Sequence, residues 1–383
     1  MKELIYLDNA ATSWPKPEIV YQMIDHYNRR LGGSPYRGSS SKTLEAGGVL
    51  LDTREALAAL FHFTDVSRLI FTKNITEAIN TVLKGYLKPG DHIIISSMEH
   101  NAVVRPLSKL KNSGVEISIA DCAADGSLDP YEVEKAWRTN TCMVCLTAAS
   151  NVTGTIMPVR EVGQLCRNKG AVFMVDSAQS AGIIPLDIGE QNIDVLTFTG
   201  HKSLFGPQGT GGFYIRPGLD IDSLLEGGTG SFSEEMVQPD FSPDKYESGT
   251  PNTPGIAGLG AGVSFIMRKG LAAIRNHELE LMDRMVDGLR QIQGVTIHGP
   301  VDNRQRTAVL SLNLAGLECG ELGFLLENNF GIVTRSGLHC APLAHRTIGT
   351  LHQGTCRISL SYFSTREQIE TFLNGMLRLS KGG

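Results

Sequence analysis

Lys202 is the first residue in this chain whose setting suggests chemistry. It follows Phe198-Thr199-Gly200-His201 and precedes Ser203-Leu204-Phe205-Gly206-Pro207, a glycine-rich and apolar place for a charge. Apolar surroundings disfavour an ammonium and lower its pKa. A lysine of that kind is what a Schiff base to an aldehyde cofactor requires. Asp176, at the end of Val172-Phe173-Met174-Val175, supplies a matching carboxylate. Pyridoxal phosphate needs such a group beside its pyridine nitrogen, because the protonated ring is an electron sink. Donors for a phosphate are also present. Asn74-Ile75-Thr76-Glu77 has the spacing of a helix capping box, which puts Thr76 in a first turn with free backbone amides.

The elements that must position these residues follow from the hydropathy pattern. From about residue 68 to 215, short apolar runs alternate with amphipathic stretches, as expected for strands covered by helices on both faces. Strands are predicted at 68–71, 92–96, 115–120, 143–147, 172–176, 194–199 and 212–216, with helices over 75–87 and from about Ala102. Asn151 follows one of these strands, Asp176 ends the next, and His201 and Lys202 follow the one after. Ligands of open α/β sheets collect at the carboxyl ends of strands. This part is therefore an α/β domain with a largely parallel sheet. Gly227 to Pro254 is rich in Gly, Ser and Pro and reads as a long functional loop ending at a domain boundary. Beyond it, 256–292 is helical in pattern with a break near Lys269-Gly270. The tail alternates strands (308–314, 331–334, 356–360) with helices (320–328 and from Arg366), a smaller α+β domain. The expected division is a large domain over 14–254, with 1–13 and 255–383 forming the small one.

Bulk properties narrow the function classes. At 383 residues the chain has room for two domains. A net charge of −5 with no Lys/Arg block argues against nucleic-acid binding. The longest nearly apolar run, Gly255 to Met267, is short for a membrane span, and Asp8 interrupts the N-terminal residues before a signal-peptide core could form. A cytoplasmic enzyme is the expectation. The seven cysteines are odd in number and widely spread, which suits reduced thiols. Cys142 and Cys145 have CxxC spacing, but three positions apart on a strand they should face opposite sides as core packing. His339, Cys340, His345, His352 and Cys356 form a His/Cys-rich stretch that matches no zinc spacing, so no metal is expected. A metal-binding protein without enzymatic activity is the alternative of a different class. No GxGxxG and no Gly-Lys pair occurs, which disfavours nicotinamide and P-loop chemistry.

Several runs carry a family resemblance over essentially the whole chain and in the right order: Leu7-Asp8-Asn9-Ala10-Ala11-Thr12, SMEHNAVVRPL, VDSAQS, TGHKS, ESGTPNT and RSGLHCAP. Together they resemble the class V aminotransferase-like enzymes, specifically the cysteine desulfurase and selenocysteine lyase group. The resemblance implies the pyridoxal-phosphate-dependent transferase fold of type I, with a mostly parallel seven-stranded sheet. It implies that Lys202 holds the cofactor and moves the substrate α-proton, that Asp176 pairs with the pyridine nitrogen and that Gln179 bonds the ring oxygen. His100 would stack over the ring. Thr76, Thr199 and His201 would hold the phosphate, joined by Thr250 from the other subunit of a homodimer. Asn151 and Arg357 would bind the substrate carboxylate, and Arg335 would line the same pocket. Cys340 would be the nucleophile that takes sulfur from the substrate, selenocysteine would be a further substrate, and an acceptor protein would receive the sulfur or selenium. Two departures from the family pattern stand out: Leu338 replaces the first His of R-x-G-H-H-C, and Ser39-Ser40 follow Tyr36-Arg37-Gly38 where a His is common.

Each residue alone also has a plainer reading. Lys202 could be a surface lysine, His100 and His201 structural histidines, and Asp176 a helix cap. Thr76 could be an ordinary first-turn residue, and Asn151 and Gln179 turn residues. Arg335 and Arg357 could form structural ion pairs, Thr250 could cap the turn at Pro251, and Cys340 could be a small buried hydrophobe. Their joint order favours the cofactor reading. Arg335 and His339 beside Cys340 would lower its pKa. Another pyridoxal-phosphate C–S β-lyase is the alternative within the class.

Overall fold

The computed structural model describes residues 4–35 and 40–382, so Tyr36-Arg37-Gly38 and Ser39 lie outside the described residues. In chain order the elements begin with β1 (Ile5–Tyr6), α1 (Glu18–His26), α2 (Ser41–Phe61), β2 (Leu69–Thr72), α3 (Ile75–Tyr86), β3 (His92–Ser96), α4 (Asn101–Lys111) and β4 (Glu116–Ala120). Then come α5 (Pro130–Lys135), β5 (Thr141–Thr147), α6 (Val159–Lys169), β6 (Val172–Asp176), β7 (Val195–Thr199) and β8 (Gly211–Ile215). The remainder is α7 (Thr253–Lys269), α8 (Leu271–Arg290), β9 (Val295–His298), β10 (Val309–Leu314), α9 (Cys319–Phe330), β11 (Ile332–Val333), β12 (Arg335–Gly337), α10 (Pro342–Thr347), β13 (Thr355–Ser359) and α11 (Arg366–Ser380).

Seven strands form one sheet in the order β2-β8-β7-β6-β5-β3-β4. Only β8 runs antiparallel to its neighbours, β2 and β7. The expected architecture holds: a mostly parallel seven-stranded sheet and a smaller α+β unit, the type I fold. β3, β6, β7 and β8 are buried along their whole lengths, because helices cover both faces of the sheet. The smaller unit is built on a four-stranded antiparallel sheet, β12-β13-β10-β9, backed by α8, α9 and α11. β1 pairs in parallel with β11, which ties the N-terminal residues to this unit. Ile256, Leu259, Val263 and Ile266 of α7 share the core of the large sheet, while Leu281 to Leu289 of α8 belong to the second core. The change from one core to the other thus falls within α8.

Local sequence accounts for the elements nearest the site. Asn74 caps α3, its side chain accepting from the Glu77 amide at 3.0 Å, while the Glu77 carboxylate accepts from the Lys73 amide at 2.8 Å. One face of α3, Ile75, Ala78, Ile79, Val82 and Leu83, is buried, and each such large aliphatic contributes ~1.5–3 kcal/mol. α2 was not foreseen. It carries Gly47-Gly48 mid-helix and buries residues as different as Ala46, Thr53, Arg54 and Phe61. No clean apolar stripe marks it, because it packs between α7 and the large core.

The CxxC expectation needs correction. Cys142 and Cys145 both pack against the same apolar cluster. His92 of β3 pairs with Thr141 and Ile93 with Met143, so Cys142 is an extra residue at a bulge. The bulge breaks the alternation of side chains and brings both thiols to one face. Burial raises both pKa values, that of Cys142 to about 11. No group of three or more His, Cys, Asp or Glu suited to a metal occurs among the described residues.

Candidate active site

The carboxyl ends of β5, β6 and β7 and the start of α4 converge with residues from the small unit. Asp176 ends β6 and is buried, with its Oδ1 accepting from the Ala178 amide at 2.8 Å. Burial raises its pKa, while the Ala178 amide and Lys202 pull it back down. Lys202 lies in the turn after β7. Its pKa falls to about 8, chiefly through burial, against the opposing pull of Asp176 and with Arg357 and Arg335 lowering it further. As a residue Lys202 is half-buried, while its ammonium is enclosed.

The phosphate candidates carry unsatisfied groups. Thr199 Oγ1 and His201 Nδ1 are buried without a hydrogen-bond partner among the described residues. Such orphans cost about 1–3 kcal/mol each unless a ligand supplies the partner. A phosphate, rich in acceptors, fits both. His201 is held neutral, its pKa lowered to about 4 by burial and then by Lys202 and Lys16. A neutral His201 with its proton on Nδ1 is a donor. Thr76 is exposed in the first turn of α3 and lines a cleft of about 350 Å³ together with His100 and Cys340. Gln179 is buried and gives one amide hydrogen to the Ala10 carbonyl at 3.0 Å, which leaves its other hydrogen for a ligand.

His100 caps α4. Its Nδ1 accepts from the Ala102 amide at 3.0 Å, which places the ring proton on Nε2. Burial and then Lys202, Arg335 and Arg357 lower its pKa to about 4, so the ring is neutral near pH 7.

The small unit brings the arginines. Arg357, in the middle of β13, is buried; its Nη2 donates to Asp8 Oδ1 at 2.7 Å and its Nη1 to the Asn151 carbonyl at 3.0 Å. Its Nε is buried and unpartnered among the described residues. Arg335 stands opposite it across the β12–β13 ladder and makes no hydrogen bond or ion pair among the described residues. Two guanidinium groups thus stand side by side with one carboxylate, Asp8, paired to Arg357 alone, a charge surplus suited to an anionic substrate group. Asn151 is buried and donates its side-chain amide to the His339 carbonyl at 2.7 Å.

Cys340 is exposed, whereas the other six cysteines are half-buried or buried. His339 is turned inward, its Nε2 against Thr355 Oγ1 at 3.0 Å, and burial drives its pKa far below the ordinary imidazole value. The expectation that His339 offers Cys340 a positive charge is therefore corrected: the imidazole is neutral. Thr250 is not brought to Lys202 within one chain. It is exposed and lines a separate hollow of about 260 Å³ with Lys73, Glu77 and Asn252. Its segment is fixed by Glu247, which holds Arg54 at 2.5 Å and the Phe71 amide at 2.7 Å.

Three residues were missed. Asp8 sits within the quoted N-terminal run, yet nothing in that run says its carboxylate meets Arg357. Lys16 donates to the Ser13 and His201 carbonyls at 3.1 and 3.3 Å, and burial lowers its pKa to about 8. Glu99, beside His100, is fully buried; its Oε1 accepts from Ser96 Oγ at 2.6 Å and the Thr147 amide at 2.9 Å, while Oε2 has no partner among the described residues. Burial raises its pKa to about 8. An acidic residue next to the key histidine was the available signal.

Comparison with known proteins agrees with this arrangement. The family model for aminotransferase class-V matches residues 5–372. A probable cysteine desulfurase of Methanothermobacter thermautotrophicus is 32% identical over 378 residues, covering 97% of this chain and 93% of the relative. A cysteine desulfurase of Pectobacterium carotovorum is 33% identical over 392 residues, covering 99% and 93%. The apo structure of cysteine desulfurase from Thermococcus onnurineus superimposes with a TM-score of 0.92 at 31% identity, covering 99% of this chain and 95% of that one. With the matches running nearly end to end in both sequence and structure, this chain belongs to the class-V aminotransferases, in the cysteine desulfurase family.

Proposed function

We propose that the protein converts L-cysteine to L-alanine and carries the released sulfur as a persulfide on Cys340. The observation that supports this most is the cleft shared by Thr76, His100 and the exposed Cys340, with Arg335 and Arg357 near enough to lower the His100 pKa. The family implies pyridoxal phosphate, and the residues fit it: Thr199 Oγ1 and His201 Nδ1 await an acceptor, Asp176 is a buried carboxylate, and Lys202 has a lowered pKa. When bound, the cofactor supplies an aldehyde for the lysine and a ring that takes up electrons freed at the substrate α-carbon.

The chain's own groups divide the remaining work. Arg357 Nε and Arg335 hold the substrate carboxylate. Lys202 Nζ, partly neutral near pH 7 because its pKa is about 8, takes the α-proton. Asp176 would pair with the pyridine nitrogen, and neutral His100, with its proton on Nε2, would stack against the ring. The Cys340 thiolate then attacks the substrate sulfur. An S–S bond forms as the substrate's carbon–sulfur bond breaks, the electron pair stays with the carbon, and protonation there releases alanine. Cysteine plus one protein thiol thus yields alanine plus one protein persulfide, and the sulfur passes onward to an acceptor thiol. We infer a homodimer in which Thr250 of each chain completes the partner's phosphate site, and a cytoplasmic location. Support for the dimer is the fixed, exposed placement of Thr250 away from its own Lys202.

The test is a single-turnover reaction with cysteine in the absence of an acceptor thiol. Alanine should form in equal amount to the mass of one added sulfur on the peptide containing Cys340. Alanine release with sulfide set free and no sulfur on Cys340 would instead indicate a simple β-lyase. Sedimentation showing an active monomer would remove the shared-site reading.

A further inference from the structure

Asn151 touches two parts of the site at once. Its backbone carbonyl accepts from Arg357 Nη1 at 3.0 Å, and its side-chain amide donates to the His339 carbonyl at 2.7 Å. His339 directly precedes Cys340, whose own carbonyl accepts from the Asn101 amide at 2.8 Å. The peptide units on either side of the Cys340 α-carbon are therefore held by two bonds. One comes from the rigid start of α4. The other comes from a side chain that can be drawn away.

The segment between these anchors does not sit in a relaxed backbone conformation. His339 and Cys340 have φ of 49° and 57°, two consecutive non-glycine residues in the left-handed region, and Gly337 before them has φ 111°. L-residues avoid that region unless something holds them there. Removing one anchor should let the loop leave it. At the other end of Asn151, Arg357 has an unpartnered Nε and lies beside Arg335, with Asp8 as its ion-pair partner. An anion arriving there competes for the guanidinium and so weakens its hold on the carbonyl of Asn151.

The geometry points to Asn151 as a positioning residue that couples anion occupancy at Arg357 to the placement of the Cys340 thiol. The consequence for sulfur transfer rests on the proposed role of Cys340, but the coupling itself can be read without turnover. A substrate carboxylate would loosen the cysteine loop as it binds, so the thiol becomes mobile when there is sulfur to collect.

The experiment measures alkylation of Cys340 by iodoacetamide in the cofactor-loaded protein, resolved by peptide mass, with half-buried Cys319 as the internal reference. Propionate is titrated in, as a carboxylate with no amino group. Loss of one hydrogen bond should speed Cys340 labelling relative to Cys319 by about 5–10-fold in Asn151→Ala and Asn151→Asp. Propionate should change the Cys340 rate in the wild type and leave both variants unmoved. A merely structural defect would instead expose Cys145 and Cys166, which are buried. A wild-type rate that is flat across the propionate titration overturns the coupling whatever the variants do. Equal labelling of wild type and folded variants overturns the anchor. Failure of cysteine to yield alanine would reject the desulfurase reading alone and leave the labelling result standing.

Discussion

Lys202 should make the cofactor-free protein less stable than a neutral residue would, and Lys202→Met tests this. The ammonium pKa drops from 10.5 to about 8, chiefly because burial strips water from the charge. That shift corresponds to ~3 kcal/mol of penalty on the charged form. Because the residue is only half-buried, and Asp176 loses a counter-charge in the variant, the expected net gain is about 1–2 kcal/mol. The sign follows from proton linkage. Below pH 8 the lysine is charged in both states and the folded state carries the full penalty. As pH rises from about 8 toward 10.5, the folded protein sheds the proton first and the penalty fades. Urea unfolding of cofactor-free wild type and variant at pH 6.5 and pH 9.5 reads the effect. Lys202→Met should be the more stable at the lower pH, with the gap narrowing at the higher. A destabilised variant at pH 6.5, or a gap indifferent to pH, would refute the claim that burial sets this pKa.

Two further outcomes follow from the same geometry. Cys340→Ala should lose nearly all alanine release from cysteine and retain much of it with selenocysteine, because a selenol leaves without help more readily than a thiol does; full activity on cysteine would show that Cys340 is not the nucleophile. Glu99→Gln keeps an acceptor for Ser96 Oγ and the Thr147 amide while removing a buried ionisable group. Because the folded pKa of Glu99 is raised from 4.5 to about 8, the wild type loses stability as pH climbs through that window. The variant should therefore gain on the wild type by about 1–3 kcal/mol between pH 5 and pH 8, because the cost of the buried amide is the same at both pH values and cancels. Urea midpoints at the two pH values that shift in parallel would contradict it.

What the sequence made legible was whatever local pattern could carry. β3 and β6 begin and end where their apolar runs do, because a strand covered on both faces leaves no polar position to blur its limits. Lys202 and Asp176 stood out because each is a charge at the end of such a run. The same logic hid α2, whose buried positions circle the helix, and the bulge at Cys142, which only the pairing with β3 creates. His339 was misjudged for a related reason. A histidine next to a cysteine in sequence need not face it, and left-handed backbone at both residues turns the imidazole inward while Cys340 points out.

Long-range polar contacts were the least legible of all, and they are what assemble the site. Asp8 and Arg357 are joined at 2.7 Å across nearly the whole chain, and Asn151 meets His339 from 188 residues away. None of these pairs has a period or a spacing. Each exists because β1 adds to β11 and the turn after β5 meets the β12–α10 loop, so that the small unit brings Arg335, Arg357 and Cys340 while the large sheet brings Asp176 and Lys202. A site divided in that way depends on polar bonds that cross between the two units. Under the proposed function, the crossing bonds, rather than the residues on either side alone, set whether the sulfur of a bound substrate and the Cys340 thiol can meet.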